Sequence, residues 1–214
     1  MSALSIVLGN KKYSSWSLRG WLALKATGLP FDETMIWMYK PDTRAEMLKY
    51  GPTGLVPVLK HGDITVWETL AICEYIAENF PNARLWPDDH RAKAHCRSTA
   101  TEMHGGFLPL RQQMPMDLSR PVGKKDYDAA CGAAIERITG LWREARGAFG
   151  TGGPYLYGRF SVADCMYAPV VYRFLTYDVA LDPVCAAYCA DMAAHPAMQE
   201  WKAAGLAESE VGPY

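Results

Sequence analysis

Among the six cysteines of this 214-residue chain (Cys73, Cys96, Cys131, Cys165, Cys185 and Cys189) there is no C-x-x-C pair, and no histidine joins them at zinc spacing. A structural zinc site and a dithiol redox motif are therefore not expected, and no metal is called for. Long apolar runs are also missing: nothing approaches the roughly 18 residues a membrane span needs. Charge of one sign is lacking as well. The 22 Lys and Arg stand against 23 Asp and Glu, a formal net charge of -1, which offers no global attraction to nucleic acid. Internal repeats and low-complexity stretches are absent. Met1-Ser2-Ala3 leads straight into the apolar run Leu4-Ser5-Ile6-Val7-Leu8, without the pattern of a secretory signal. These absences predict a soluble, cytoplasmic protein whose reduced cysteines pack in apolar helices. Cys185 and Cys189, four apart, share a helix face and read as packing residues.

With half of its residues hydrophobic, the chain is long enough to bury a sizeable core. Leu4–Leu8 is a strand candidate. Ser14 or Ser15 caps a helix through Trp21-Leu22-Ala23-Leu24-Lys25, which Gly28 ends. A second strand is expected over Phe31–Met38 and a short surface helix over Asp42–Lys49. Val56–Leu59 and Ile64–Trp67 read as a hairpin around Lys60-His61-Gly62-Asp63. Leu70, Cys73, Ile76 and Ala77 fall at helical spacing within Thr69–Phe80. The order β-α-β-α-β-β-α implies parallel opening strands with an antiparallel edge. The texture then changes. Pro81–Asp89 has prolines near both ends and no periodicity, and beyond it only helices are expected, over about 91–118, 126–148, 162–178, 184–194 and 197–207. The predicted fold class is α/β plus all-α: a domain at 1–81, a linker at 82–90 and a helical domain at 91–214.

Three stretches, in this order and spacing, resemble the cytosolic glutathione transferase superfamily, closest to serine-type, zeta-like bacterial members. They are Tyr13-Ser14-Ser15-Trp16-Ser17-Leu18-Arg19, Gly54-Leu55-Val56-Pro57-Val58-Leu59, and Trp67-Glu68-Thr69-Leu70 with the helix that follows. A fourth, Phe160-Ser161-Val162-Ala163-Asp164, is similar to the superfamily's structural capping motif, with Asp164 reaching back to the Ser161 N–H. The resemblance runs over nearly the whole chain and implies a thioredoxin-like first domain that binds glutathione. The helical domain would help bind a second substrate.

Residue by residue, the resemblance implies a hydroxyl that hydrogen-bonds the glutathione sulfur, with Ser14 first, Ser15 second and Tyr13 third. It implies a cis bond before Pro57, which leaves the Val56 backbone to pair with the cysteinyl part of glutathione as an added strand. Thr69, read as an N-cap, would offer the helix N-terminus to the γ-glutamyl carboxylate, and Glu68 would pair with the ammonium. Leu55 stands where many relatives carry Lys or Gln, so Lys40 is the candidate for the missing charge. Trp16 stands where some relatives carry Cys, which lowers support for a glutathione-dependent thiol reductase. Met103, His104, Phe107 and Arg111 fall at helical spacing on the first long helix and are the candidate contacts to a small electrophilic substrate. Zeta members isomerise with an arginine in a later helix; Arg173 is the nearest here and sits out of register. The expected reaction is conjugation to, or isomerisation of, an electrophile by activated glutathione in a homodimer. A non-catalytic binding or assembly protein of the same fold is the alternative.

Overall fold

The computed structural model describes residues 4–209. β1 (Leu4–Gly9), α1 (Ser15–Lys25), β2 (Asp32–Ile36), α2 (Thr43–Leu48), β3 (Val58–His61), β4 (Ile64–Trp67) and α3 (Thr69–Asn79) follow in the predicted βαβαββα order. They build one four-stranded sheet ordered β2-β1-β3-β4. Val7 of β1 pairs with Thr34 of parallel β2 and with Val58 of antiparallel β3. His61 and Ile64 close the hairpin, whose two-residue turn places Gly62 at φ 60°, a value glycine adopts without a Cβ penalty.

Six further helices succeed the sheet: α4 (His90–Gly105), α5 (Leu108–Gln113), α6 (Ala129–Phe149), α7 (Val162–Thr176), α8 (Pro183–Ala194) and α9 (Pro196–Ala207). A single-turn 3-10 helix at Pro81–Ala83 and the segment after it make the passage between the two regions. α7 starts on a capping box, in which the Ser161 N–H and hydroxyl both donate to Asp164 Oδ2. Burial raises the Asp164 carboxyl to about 6 despite those bonds.

Three expectations are corrected. The single helix over 91–118 is two, because Gly105-Gly106 ends α4, Phe107 turns the backbone left-handed at φ 62°, and Pro109 opens α5. β3 starts at Val58, after Pro57, which has no N–H to give a ladder. β2 stops at Ile36, as Met38 turns its N–H to the Asn10 side chain at 2.8 Å.

One apolar core crosses both regions, from Ile6 and Leu8 of the sheet through Trp21 of α1 to Trp142 and Trp201. All three tryptophans are fully buried, each removing apolar area that stabilises by about 4–6 kcal/mol. α1 lies at the centre, packed on α3 and on α7. The start of α1 is thereby fixed where the sheet region meets the helical region.

Candidate active site

Two cavities share Trp16, the second residue of α1. The first, about 220 Å³, is lined by Trp16, Thr53, Leu55, Val56, Pro57, Glu68 and Thr69. The second, also about 220 Å³, is lined by Tyr13, Ser14, Ser15, Trp16, Met38, Tyr39, Arg111, Pro115, Met116 and Arg173.

Main chain makes most of the chemistry of the first cavity. The Val56–Pro57 bond is cis, and Val56 stands just outside β3, so its N–H and C=O lie beyond the ladder. α3 begins at the rim of this cavity. Glu68 holds the N-cap position at φ 67° and ψ 123°, and its side chain makes no capping bond. The first N–H groups of α3 therefore keep their capacity to bind an acceptor. A left-handed φ at a residue with a Cβ costs on the order of 1–3 kcal/mol, the kind of outlier that gathers at ligand sites. Thr69 is not the N-cap expected of it: it is the first helical residue, buried, and its hydroxyl donates to the Trp16 carbonyl at 3.3 Å. That bond ties the start of α3 to the start of α1. Leu55 lies 57% exposed at the mouth, an apolar side chain with no donor to offer.

At the start of α1 the two serines have different tasks. Ser14 is the N-cap: its Oγ accepts from the Ser17 N–H at 3.3 Å and lies 2.7 Å from Ser17 Oγ, which itself accepts the Gly9 N–H at 3.0 Å. The Ser14 hydroxyl is thus engaged inside the first turn. Ser15, the first helical residue, lines the second cavity, and its hydroxyl makes no hydrogen bond among the described residues. A hydroxyl at the first turn with no internal partner is available to donate to an anion, beside a helix N-terminus that favours one.

The second cavity is basic. Arg111 and Arg173 line it, and Arg19 lies behind them, fully buried on α1. Arg19 and Arg111 both place their guanidinium carbons over the Trp16 ring, at 4.5 and 4.8 Å. Each cation–π contact of this kind is worth up to about 2 kcal/mol when desolvated. Arg19 donates through Nε to the Met166 carbonyl at 2.9 Å, while its two terminal nitrogens have no partner. Burial first, then the charges of Arg111 and Arg173, hold its pKa well below the ordinary arginine value. Arg111 donates through Nε to the Gly106 carbonyl at 3.0 Å and through Nη2 to the Met103 carbonyl, which closes off the end of α4; its Nη1 is buried without a partner. Arg173 donates to the carbonyls of Met114 and Pro169. Neither Arg19 nor Arg111 meets a carboxylate among the described residues.

The remaining candidates are spread more widely. His104 of α4 stands edge-on to Trp16, with Nε2 3.7 Å from Glu68 Oε2 and Nδ1 buried without a partner. Its pKa is lowered, by burial first and also by Arg19 and Arg111, with Glu68 opposing. Met103 is wholly buried in the core, and Phe107 packs against the core at the α4–α5 break, so neither lines the cavities. Lys40 lines a separate hollow between β2 and α2 with Trp37 and Asp42, where its N–H donates to Thr43 Oγ1 at 2.9 Å. The candidates read from the sequence do not include Arg19, buried on α1, or Met38, Tyr39 and Met116, which chain reversals bring in. Among the described residues, no group of three or more His, Cys, Asp or Glu is placed to hold a metal ion. All six cysteines are buried, and none lines either cavity.

Comparison with known proteins fits this geometry. Residues 13–79 match the family model "Glutathione S-transferase, N-terminal domain", and residues 125–204 match "Glutathione S-transferase, C-terminal domain". Maleylacetoacetate isomerase of Rattus norvegicus is 30% identical over 173 residues, 79% of this chain and 77% of that protein. Glutathione S-transferase 1 of Dianthus caryophyllus is 36% identical over a shorter stretch of 98 residues, 45% of this chain and 43% of that protein. The fold is also that of a solved bacterial maleyl pyruvate isomerase described as a zeta-class glutathione S-transferase, with a TM-score of 0.73 at 22% identity, covering 97% of this chain and 100% of that one. The two family models, the relative matched along most of its length and the shared fold lead to one conclusion: this chain belongs to the glutathione S-transferase superfamily.

Proposed function

We propose that the protein is a zeta-like glutathione S-transferase that holds glutathione in the first cavity and an anionic electrophile in the second. The observation that carries the first half is the coincidence, around Trp16, of an unladdered Val56 backbone, an uncapped α3 N-terminus and an unengaged Ser15 hydroxyl. Val56 would take the cysteinyl part of glutathione as an added strand. The α3 N-terminus would take the γ-glutamyl carboxylate, and Glu68 the ammonium. Ser15, in preference to Ser14, would then donate to the sulfur. A free thiol has a pKa near 8.5, and one hydroxyl donor beside a helix N-terminus favours its thiolate.

The arginines support the second half. An uncompensated buried charge costs roughly 3–5 kcal/mol, and a carboxylate in the second cavity would give the unpartnered Arg111 Nη1 an acceptor, beside the Arg173 that lines the same wall. The name of the isomerase relative points to the same charge class. Ser15 would present the thiolate at the junction of the cavities, for addition to a carbon held by its carboxylate on the arginine side. Whether the adduct is released, or expels glutathione again as an isomer, depends on the electrophile. No cysteine lines the site, which weighs against a thiol reductase. The division into domains at 1–81 and 91–214, a homodimer that covers exposed Ile64 and Trp67 on the β4 edge, and a cytoplasmic location complete the proposal.

Turnover with glutathione and two electrophiles of matched reactivity, one carrying a carboxylate and the other its amide, tests it. The carboxylate is expected to have the higher kcat/KM, by at least about tenfold for one charge-assisted contact of some 1.5 kcal/mol. Equal rates would remove the arginine half, and no turnover of any electrophile would leave a glutathione-binding or assembly protein.

A further inference from the structure

The loop that leads to the serines is held by the far end of the chain. After β1, Lys11 and Lys12 are both buried, and every main-chain polar group of the two is bonded to the helical region. The Lys11 N–H donates to Glu208 Oε1 at 2.6 Å and the Lys12 N–H to Glu208 Oε2 at 3.2 Å. The Lys11 carbonyl accepts from Trp201 Nε1 at 2.9 Å, and the Lys12 carbonyl accepts from the Leu118 N–H at 3.2 Å. Lys12 Nζ closes the arrangement by donating to the Glu208 carbonyl at 2.9 Å. Glu208 follows directly on α9, and Gly205 lets that helix come close. A Cβ at Gly205 would lie 3.0 Å from the Lys12 nitrogen and 3.1 Å from the Lys11 carbonyl carbon. Asn10, one residue earlier, is likewise tied, its side chain accepting the Met38 N–H.

From this clamp we infer that Glu208 is a positioning residue for glutathione activation: its carboxylate fixes the Lys11–Lys12 backbone and, through it, the reach of the Ser15 hydroxyl. Carboxylate-to-amide bonds are charge-assisted and short, stronger than a neutral pair. One carboxylate holding two successive N–H groups leaves the loop a single orientation. Tyr13, Ser14 and Ser15 come next, and Ser15 is already helical, so a displacement at Lys12 reaches the first turn within three residues. The inference rests on the glutathione reading for its effect on chemistry, but the clamp is measurable without any ligand.

The full chain is compared with Glu208→Ala, Glu208→Gln and Gly205→Ala by hydrogen exchange of the Lys11 and Lys12 amides, and by ultraviolet titration of the thiolate of bound glutathione. In Glu208→Ala the two amides are expected to exchange at least tenfold faster. The bound thiol is expected to titrate closer to its free value, and kcat to fall about tenfold, in keeping with the 100-fold that a misplacement near 1 Å can cause. KM for glutathione should change less than twofold, because the first cavity is untouched. Glu208→Gln keeps one acceptor and should recover part of both effects. Gly205→Ala keeps the carboxylate, displaces α9 by a few tenths of an ångström and should move the thiol titration the same way, by less. Unchanged amide exchange in Glu208→Ala overturns the clamp. Faster exchange with an unchanged thiol titration overturns its role in activation and leaves Glu208 a stabilising contact. If wild type binds no glutathione, the proposed function fails and the role in activation fails with it, while the exchange data still decide the clamp.

Discussion

The two cavities on either side of Trp16 are equal in volume and opposite in construction. The first is built from backbone: Val56 beyond the β3 ladder, the opening N–H groups of α3, and Glu68 held in a left-handed conformation. Val56 and Glu68 lie about a dozen residues apart in the chain, and the groups they offer are main-chain groups at the end of one strand and the start of one helix. The second is built from side chains delivered by α1 and the loop before it, α5, α7 and the loops after β2 and α5, and its character comes from Arg111 and Arg173, with Arg19 buried behind them. What the difference teaches is that the region expected to hold glutathione is fixed by short-range geometry. The region expected to choose the electrophile is fixed by tertiary packing and is open to change by single substitutions.

The sharpest way to break the comparison is at the shared edge. Ser15→Ala removes the one hydroxyl of the pair without an internal partner, and kcat is expected to fall by about 100-fold, the lower end of what loss of a positioned donor costs. Ser14→Ala removes a cap instead. It should lower stability by about 1 kcal/mol in chemical denaturation and leave kcat within a few-fold. Reversed magnitudes would assign the sulfur contact to Ser14.

Arg173→Leu is expected next in size: KM for a carboxylate electrophile should rise about 10- to 100-fold, the worth of a charged hydrogen bond, with the glutathione KM unchanged. A rise in both would mean that the two cavities do not act separately.

His104 gives the smallest effect and sharpens the contact between them. Burial lowers its pKa in the folded protein, so below the ordinary histidine value of about 6.5 the unfolded chain binds the proton more tightly. Stability attributable to His104 is therefore present above that value and is lost as pH falls through it toward the folded pKa. Denaturation of wild type and His104→Gln at several pH values should show the wild type losing its margin over the variant below about 6.5. A difference independent of pH would contradict the burial of this ring.

How far the sequence carried follows the same division. The strand and helix order is legible from hydrophobic period and cap chemistry, and the Ser161–Asp164 box and the Val56–Pro57 and Glu68–Thr69 stretches are short motifs legible through the family resemblance. Capping failed at one residue: Thr69 has the preferred cap chemistry, yet Glu68 occupies the position, because a left-handed residue must precede α3 and its hydroxyl neighbour turns instead to Trp16. The α4–α5 break had its signal in Gly105-Gly106 and Pro109, and a helical period read through them placed Met103 and Phe107 at the site when they belong to the core. Arg173 is reached only through the resemblance, and out of register, while Arg19 was illegible for a different reason. Nothing in a helical pattern says that an arginine will be buried, and only packing of α1 against α7 brings Arg19 behind the cavity that Arg173 lines. Glu208 lies 196 residues from Lys12, beyond any spacing rule.

The most direct test of the account is calorimetric titration of glutathione into wild type, Glu68→Ala and Arg173→Leu. The account predicts binding to wild type, at least about tenfold weaker binding to Glu68→Ala for loss of a charged contact, and binding to Arg173→Leu within twofold of wild type. Absence of binding to wild type, or equal weakening by the two substitutions, would contradict a glutathione site centred on the first cavity and independent of Arg173.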